Sequence, residues 1–329
     1  LKSGKSHIEG ISDNDISSGI KSGKFLPTSD YSLIAESDVV VIAVPTPLNE
    51  FGRPDLAMLE SAAKSVGGAL KKRALIINES TSFPGTLRDV IRPLVEKGSP
   101  LDHMYAISPE RVDPGNNFFG YRNTPRVVGG MNKESSKQAA DFYRTFCSEV
   151  FEVSSPEVAE TAKLLENTFR QVNIALINQI STFTRKMGIE IREVIEAAST
   201  KPYGFMPFYP GAGVGGHCIP IDPTYLAWKA DREGISLSFI ELANKINIEQ
   251  PLRVIERFQN ITQNQPVKSV LISGIGYKYG ISDTRETPAE EIYAQLISLG
   301  YEVFWHDEFV PEWNFRARWE FQEADALIV

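Results

Sequence analysis

Ser37-Asp-Val-Val-Val-Ile-Ala-Val-Pro-Thr-Pro47 is an unbroken apolar run, rich in β-branched residues and closed by two prolines. A strand with one wet face would alternate polar and apolar residues, so a run without alternation reads as a strand buried on both faces of a parallel sheet. Similar runs stand at 74–81, 104–110 and 126–129, with helix-like segments at 56–70 and 135–147 between them. Strands and helices alternating in this order imply right-handed crossovers and a doubly wound α/β sheet.

Downstream the period changes. From Pro156 to about Thr200 apolar residues recur at helical spacing, at Val158, Ala162, Leu165, Phe169, Val172 and Leu176. A connector helix of this length can join domains and pack against a second subunit. A second sheet-like unit follows, with a strand from Lys268 through Tyr277, a helix near 287–299, a strand at 301–305 and a last apolar run at 327–329. The expected architecture is α/β, with two Rossmann-like doubly wound domains at 1–153 and 263–329 joined by a helical connector at 154–262. A dinucleotide-binding half opens with a strand and a G-x-G-x-x-G turn, and none precedes Ser37. The first βα unit, roughly 30 to 50 residues, is therefore expected to be missing from the N-terminal domain, and the last domain is expected to be truncated.

Composition sets outer bounds. The chain has 329 residues, too many for one ordinary core, so two or more domains are expected. A net charge of -8 argues against nonspecific nucleic-acid binding, and no apolar run is long enough for a bilayer span. Neither nucleic acid nor membrane is expected as a partner. Cys147 and Cys218 are too few and too far apart for a disulfide framework or a cysteine zinc site, which suits a reducing cytoplasm. The four histidines show no metal-ligand spacing, so no metal is expected.

Chemistry concentrates in Gly211-Ala-Gly-Val-Gly-Gly-His-Cys-Ile-Pro-Ile-Asp222. Gly211, Gly213, Gly215 and Gly216 let a backbone approach a bulky anionic ligand closely. Asp222-Pro223 reads as an N-cap followed by proline at the first helical position, placing Cys218 just ahead of a helix N-terminus that favours thiolate. Against this stands a buried structural cysteine with Asp222 only capping a helix. Lys163 and Asn167 are four apart on the connector helix and share a face from which both could donate to an oxyanion; the competing reading pairs Lys163 with Glu160 on a solvated face. Two further loops, Glu79-Ser-Thr-Ser-Phe-Pro-Gly85 and Ser108-Pro-Glu-Arg-Val-Asp-Pro-Gly115, follow buried strands, where open α/β sheets bind ligands, although each could be an ordinary turn. Lys278 and Arg285 lie in a third loop, where Arg285 could meet a phosphate or pair with Asp283 or Glu286.

Taken together these residues resemble the UDP-sugar 6-dehydrogenase family, whose members oxidise a sugar primary alcohol twice, to the carboxylate, with two NAD per turnover. The resemblance runs from about Gly4 to Val329 and rests on Val44-Pro-Thr-Pro47, the 79–85 and 108–115 motifs, Lys163 with Asn167, Gly211 through Asp222, and Tyr277-Lys with Asp283-Thr-Arg-Glu-Thr-Pro288 in family order. Gly215-Gly-His-Cys-Ile-Pro-Ile-Asp-Pro223 is similar to the branch acting on UDP-N-acetylhexosamines; the UDP-glucose branch has lysine where Ile221 stands. Mannosamine enzymes usually carry alanine where this chain has Pro220, which favours UDP-N-acetylglucosamine or its galactose epimer. The UDP-glucose branch also has a second glutamate where this chain has Pro114.

The resemblance implies roles residue by residue. Cys218 attacks the aldehyde intermediate, and its thiohemiacetal gives up a second hydride to become a thioester. Glu110 is the base for the hydrolytic water, Thr81 helps hold that water, Lys163 and Asn167 stabilise the oxyanion, and Asp222 assists proton movement. Val44, Pro45 and Thr46 line the adenosine side of NAD, with Ser80, Thr81 and Arg285 nearby. Glu110, Arg111, Lys163, Asn167, Lys278 and the 208–216 loop, including Phe208, Tyr209, Gly211, Gly213, Gly215 and Gly216, face the UDP-sugar. A homodimer or larger homo-oligomer is implied. Three alternatives stand: a UDP-glucose 6-dehydrogenase; a β-hydroxyacid dehydrogenase, which needs no cysteine and lacks a third domain; and a nucleotide-sugar-binding protein without catalysis.

Overall fold

The computed structural model describes residues 1–7, 11–113, 115–116, 118–314, 316–320 and 324–329. They form two compact units, 1–164 and 165–329. Among the described residues no helix is long and apolar enough to cross a membrane.

In the first unit, α1 (Asp13–Lys21) precedes β1 (Val39–Ile42), α2 (Ala57–Ala69), β2 (Leu75–Asn78), α3 (Arg92–Gly98), β3 (Met104–Ile107), β4 (Arg126–Gly130), α4 (Lys133–Arg144) and β5 (Val150–Val153). Their sheet has the order β1-β2-β3-β4-β5. The first three strands are parallel, Val40 facing Ile76 and Ile76 facing Tyr105, so their C-terminal ends share one edge. β2 is buried throughout, and Leu59, Ala63 and Val66 of α2 are packed with Val40, Ile42 and Ile76 in one core. The alternation of runs and helices thus gives the α/β layers expected of it.

Two details differ from the expectation. β4 runs antiparallel to β3: among the described residues of 108–125 there is no crossover helix, and only a crossover returns a chain parallel. β1 is not doubly buried: Val41 is 38% exposed, since this strand is the edge of the described sheet.

The helix α5 (Pro156–Lys186) begins in the first unit and continues into the second. The helical span read as 156–200 is in fact two helices. Gly188 at φ +70° ends the first, with the Ile189 N–H on the Thr184 carbonyl at 2.8 Å, and the Glu190 side chain caps α6 (Ile191–Ser199). Next come α7 (Asp222–Arg232), α8 (Ser238–Thr262), β6 (Ser269–Ser273), α9 (Pro288–Ser298), β7 (Glu302–His306) and β8 (Ala326–Ile328). β6 lies between β7 and β8, all parallel, so the chain winds to one side and then the other. Val270, Ile272, Leu296, Trp305 and Trp313 fill the core beneath. The strand expected to reach Tyr277 stops at Ser273, where Gly274 turns at φ +84°.

Candidate active site

The shared edge of β1, β2 and β3 brings the three expected loops of the first unit side by side. The Val44 N–H donates to the buried Ser80 hydroxyl at 2.8 Å, which ties 43–47 to 79–85. Asn78 locks Ser80 from both sides, its Oδ1 taking the Ser80 N–H and its Nδ2 donating to the Ser80 carbonyl. Ser80 is therefore a strut between loops. Pro45 is exposed and Val44, Thr46 and Thr81 are half-buried. The backbone N–H of Glu110 reaches the Glu79 carbonyl at 3.2 Å, joining the third loop to the second.

Glu110 is held at both oxygens. Oε1 accepts the N–H groups of Arg111 and Val112 at 2.8 and 2.7 Å, and Oε2 accepts Nη1 of Arg126 at 2.6 Å. Arg111 turns its guanidinium to the Pro125 carbonyl at 2.7 Å. Pro114, where the UDP-glucose branch differs, lies outside the described residues.

Arg126 went unremarked in the sequence except as the first residue of an apolar run, yet it organises this corner. It is 1% exposed, donates to Glu79 at 2.7 Å as well as to Glu110, and reaches the Ser108 hydroxyl and carbonyl. The rings of Tyr121 and Tyr143 lie 5.0 and 4.6 Å from its guanidinium, and both phenols donate to Glu79. Burial works against the guanidinium charge, but Glu79 and Glu110 outweigh it and hold Arg126 above its ordinary pKa. Burial, with Glu79 adding to it, pushes Tyr121 up to about 12, and Tyr143 moves the same way.

Glu160 was weighed as a surface partner of Lys163 and is nothing of the kind. It is 1% exposed on α5 and accepts the N–H groups of Gly85 and Leu87 at 2.6 and 3.1 Å, pinning the 79–85 loop to the helix. Burial pushes its pKa up to about 8, against the pull of those donors. Lys163 is half-buried one turn further along.

In the second unit Cys218 is exposed, whereas Cys147 in the first is buried. The Cys218 carbonyl accepts the N–H groups of Ile221 and Asp222 at 3.2 and 2.9 Å, so the cysteine sits at the entrance to α7. Asp222 does not cap that helix: Ile221 occupies the cap position and Asp222 is already in the first turn. Its buried carboxylate instead accepts Nδ2 of Asn167 at 2.5 Å, because the helix turns the side chain toward α5. Arg285 lies close enough to Cys218 to feel its charge, forks onto Asp283, and accepts the Gly216 N–H with its carbonyl at 3.0 Å. Arg285 is thus paired with Asp283. His217 is held below its ordinary pKa by burial and by Arg285.

The glycines of this loop are also held by close packing. A Cβ on Gly215 would meet Tyr277 Cβ at 2.7 Å and the Glu286 carbonyl at 2.8 Å; one on Gly216 would meet the Tyr277 ring at 2.8 Å. Gly213 likewise faces Asn247 and Pro288. These three are required for packing against 277–288, while Gly211 alone opens onto free space and donates its N–H to Asn178 at 2.9 Å. Phe208 and Tyr209 line an open cavity of about 610 Å³ with Glu166, Phe169, Arg170 and Met206 among its walls. Phe208 meets Phe169 edge-on, and Arg192 lies over Tyr209. Lys278 is half-buried on the 277–288 segment.

An α/β unit with ligand loops at one sheet edge, followed by helices carrying an exposed cysteine and a second parallel sheet, defines a multidomain α/β protein of dehydrogenase type. Residues 1–147 match the NAD binding domain, and residues 157–249 the central domain, of the UDP-glucose/GDP-mannose dehydrogenase family. The chain belongs to that family. It is 36% identical over 284 residues to the UDP-N-acetyl-D-mannosamine dehydrogenase of Methanocaldococcus jannaschii, 85% of this chain and 64% of that protein. It is 34% identical over 286 residues to the UDP-N-acetyl-D-glucosamine 6-dehydrogenase of Pseudomonas aeruginosa, 84% of this chain and 67% of that one. The solved UDP-D-ManNAc dehydrogenase of Pyrococcus horikoshii is similar with a TM-score of 0.83 at 32% identity, covering 92% of this chain and 75% of that one. The chain thus spans about two thirds of the length of the curated relatives it matches.

Proposed function

We propose that the chain carries out the NAD-dependent, two-step oxidation of the C6 alcohol of a UDP-N-acetylhexosamine to the uronic acid through a thioester on Cys218. The observation that carries this reading is the exposed Cys218 at the entrance to α7, whose first-turn Asp222 is bonded to Asn167 on α5. A structural cysteine would be buried, as Cys147 is. An asparagine amide has two hydrogens, so Asn167 can hold Asp222 with one and offer the other to an oxyanion. Cys218 forms the bond to the aldehyde carbon, Lys163 and Asn167 take up the charge on its oxygen, and Glu110 with Thr81 positions the water that later breaks the carbon–sulfur bond. The covalent link keeps the aldehyde from escaping between oxidations.

The loops at the ends of β1, β2 and β3 suit a dinucleotide, since such sheets bind ligands beyond the carboxyl ends of their strands. Val44, Pro45, Thr46 and Thr81 would hold NAD there, with Ser80 bracing their loops, and the bound cofactor supplies the hydride acceptor. Arg285, set beside Cys218, is read as approaching the cofactor, and Arg111, Lys278, Phe208 and Tyr209 as nucleotide-sugar contacts. Named relatives divide between mannosamine and glucosamine enzymes; Pro220 favours the glucosamine or galactosamine substrate. Exposed Leu165, Leu176, Ile180 and Phe183 on α5 support a homodimer or larger assembly, and a sequence with only two cysteines a cytoplasmic setting.

The deciding measurement is the NADH formed per mole of each UDP-sugar offered to the full-length protein. Two per mole of the correct N-acetylhexosamine is expected. One would favour a simple alcohol dehydrogenase of the β-hydroxyacid kind, and binding with no NADH a nucleotide-sugar-binding protein.

A further inference from the structure

The corner of the first unit around Glu110 is more elaborate than a lone base requires. A buried guanidinium bonded to two carboxylates and flanked by two aromatic rings is costly to desolvate and rigid once formed. Arg126 opens β4, Glu79 follows β2 and Glu110 follows β3, so the guanidinium joins three strand ends. Its fork is asymmetric: Glu79 is 12% exposed and also takes the Tyr121 and Tyr143 hydroxyls, whereas Glu110 is 39% exposed and meets Arg126 by one oxygen. The Glu79 side is the anchor and the Glu110 side faces outward.

We propose that Arg126 is a positioning residue for Glu110: anchored on Glu79 and Tyr143, it fixes the carboxylate in the orientation from which Glu110 accepts a proton during thioester hydrolysis. The inference rests on the proposed function and adds a residue to it. In that step a water oxygen bonds to the thioester carbon, its proton passes to Glu110, the carbon–sulfur bond breaks, and the sulfur leaves as thiolate. Orientation matters because Oε1 is already engaged by the Arg111 and Val112 N–H groups; with Oε2 clamped by Arg126 the carboxyl plane cannot rotate. Lysine, a point donor, cannot reproduce a fork across two carboxylates.

The test is Arg126→Lys in the full-length enzyme, read by stopped-flow NADH formation and intact mass under turnover. The expected result is a ratio of burst rate to steady-state rate raised about tenfold or more, with protein carrying the sugar acyl group. Tyr143→Phe, which leaves Arg126 in place and removes one hydroxyl from Glu79, is expected to shift the ratio the same way by less. Because Arg126 acts through Glu110, adding Arg126→Lys to Glu110→Gln should slow hydrolysis no further. Burst and steady state falling in parallel, or an additive double variant, overturns the proposal and leaves Arg126 a purely structural group. Failure of the underlying reading looks different: Glu110→Gln would then carry no acyl adduct, or the wild-type protein would form no NADH with any UDP-sugar.

Discussion

Asn167 and Asp222 stand 55 positions apart within the second unit and share a 2.5 Å hydrogen bond, so α5 there holds the carboxylate four residues beyond Cys218. Asn167→Ala takes a donor from a carboxylate that is 3% exposed, which costs about 1–3 kcal/mol. Asn167→Asp sets two carboxylates against each other and should cost more. Chemical denaturation of the three proteins gives the order, and NADH formation at saturating substrate should fall in both variants. A fully active, equally stable Asn167→Asp enzyme would remove Asp222 from the site.

The two cysteines should react very differently. Cys218 is exposed, while Cys147 is buried, its thiol bonded to the Tyr121 carbonyl at 3.6 Å and pushed above its ordinary pKa by burial. Iodoacetamide on the native protein is therefore expected to label one thiol per chain, mapped by peptide mass to Cys218, and to abolish NADH formation in step with labelling. Labelling of Cys147 in the folded protein, or activity surviving full modification of Cys218, would count against the covalent reading.

Gly216 sits at φ +80° with the Tyr277 ring where a Cβ would go. Gly216→Ala adds backbone strain to a clash, together about 2–4 kcal/mol. Gly211→Ala meets nothing and should change stability by under about 1 kcal/mol. Hydrogen exchange over 211–222 and 277–288 reads the difference, with protection lost in both segments for Gly216→Ala only. Equal protection in the two variants would mean that the loop and the 277–288 segment are not packed as described.

How much of this could be read beforehand follows from what each signal encodes. The α/β class was legible because runs such as 75–78 and 104–107 lack alternation, a property that burial on both faces imposes on sequence directly, while Val39 through Val44 lacks it on a strand that is only partly buried. The direction of β4 was not, since Arg126 through Gly130 looks alike in either orientation and the deciding fact is that the described residues of 108–125 form no crossover helix. The break at Gly188 was written in one glycine between two helical patterns, and it was passed over. Cys218, Asn167 and Asp222 were recognised as a group, but Asp222 was read as a cap because Asp-Pro occurs there so often. The glycines signal that space is needed; that Tyr277 and Pro288 occupy part of it around Gly215 and Gly216 is a tertiary fact no local sequence carries. Arg126 and Glu160 carried no local signal: a charged residue in an apolar run or on a helix face discloses its burial only when its partners, here 47 and 75 positions away, are in place.

Glu160 makes stability depend on pH in a direction opposite to most carboxylates. Its folded pKa is raised from 4.5 to about 8, with burial as the cause, so between those values the folded chain holds a proton that the unfolded chain has lost. Stability contributed by the protonated form is complete below about 4.5 and is lost as the pH rises through about 8, with a slope of at most about 1.4 kcal/mol per pH unit. Ordinary acid unfolding has the reverse sign, so wild-type stability should peak on the acid side of neutrality. In Glu160→Gln the group is neutral throughout, and the decline across this window should flatten. Absolute stability of the variant also drops, because its NH2 must face one of the N–H groups of Gly85 or Leu87. The slope is therefore the quantity to compare, from urea titrations at half-unit steps between pH 5 and 9. A wild-type slope that persists unchanged in Glu160→Gln would place the titration on another residue.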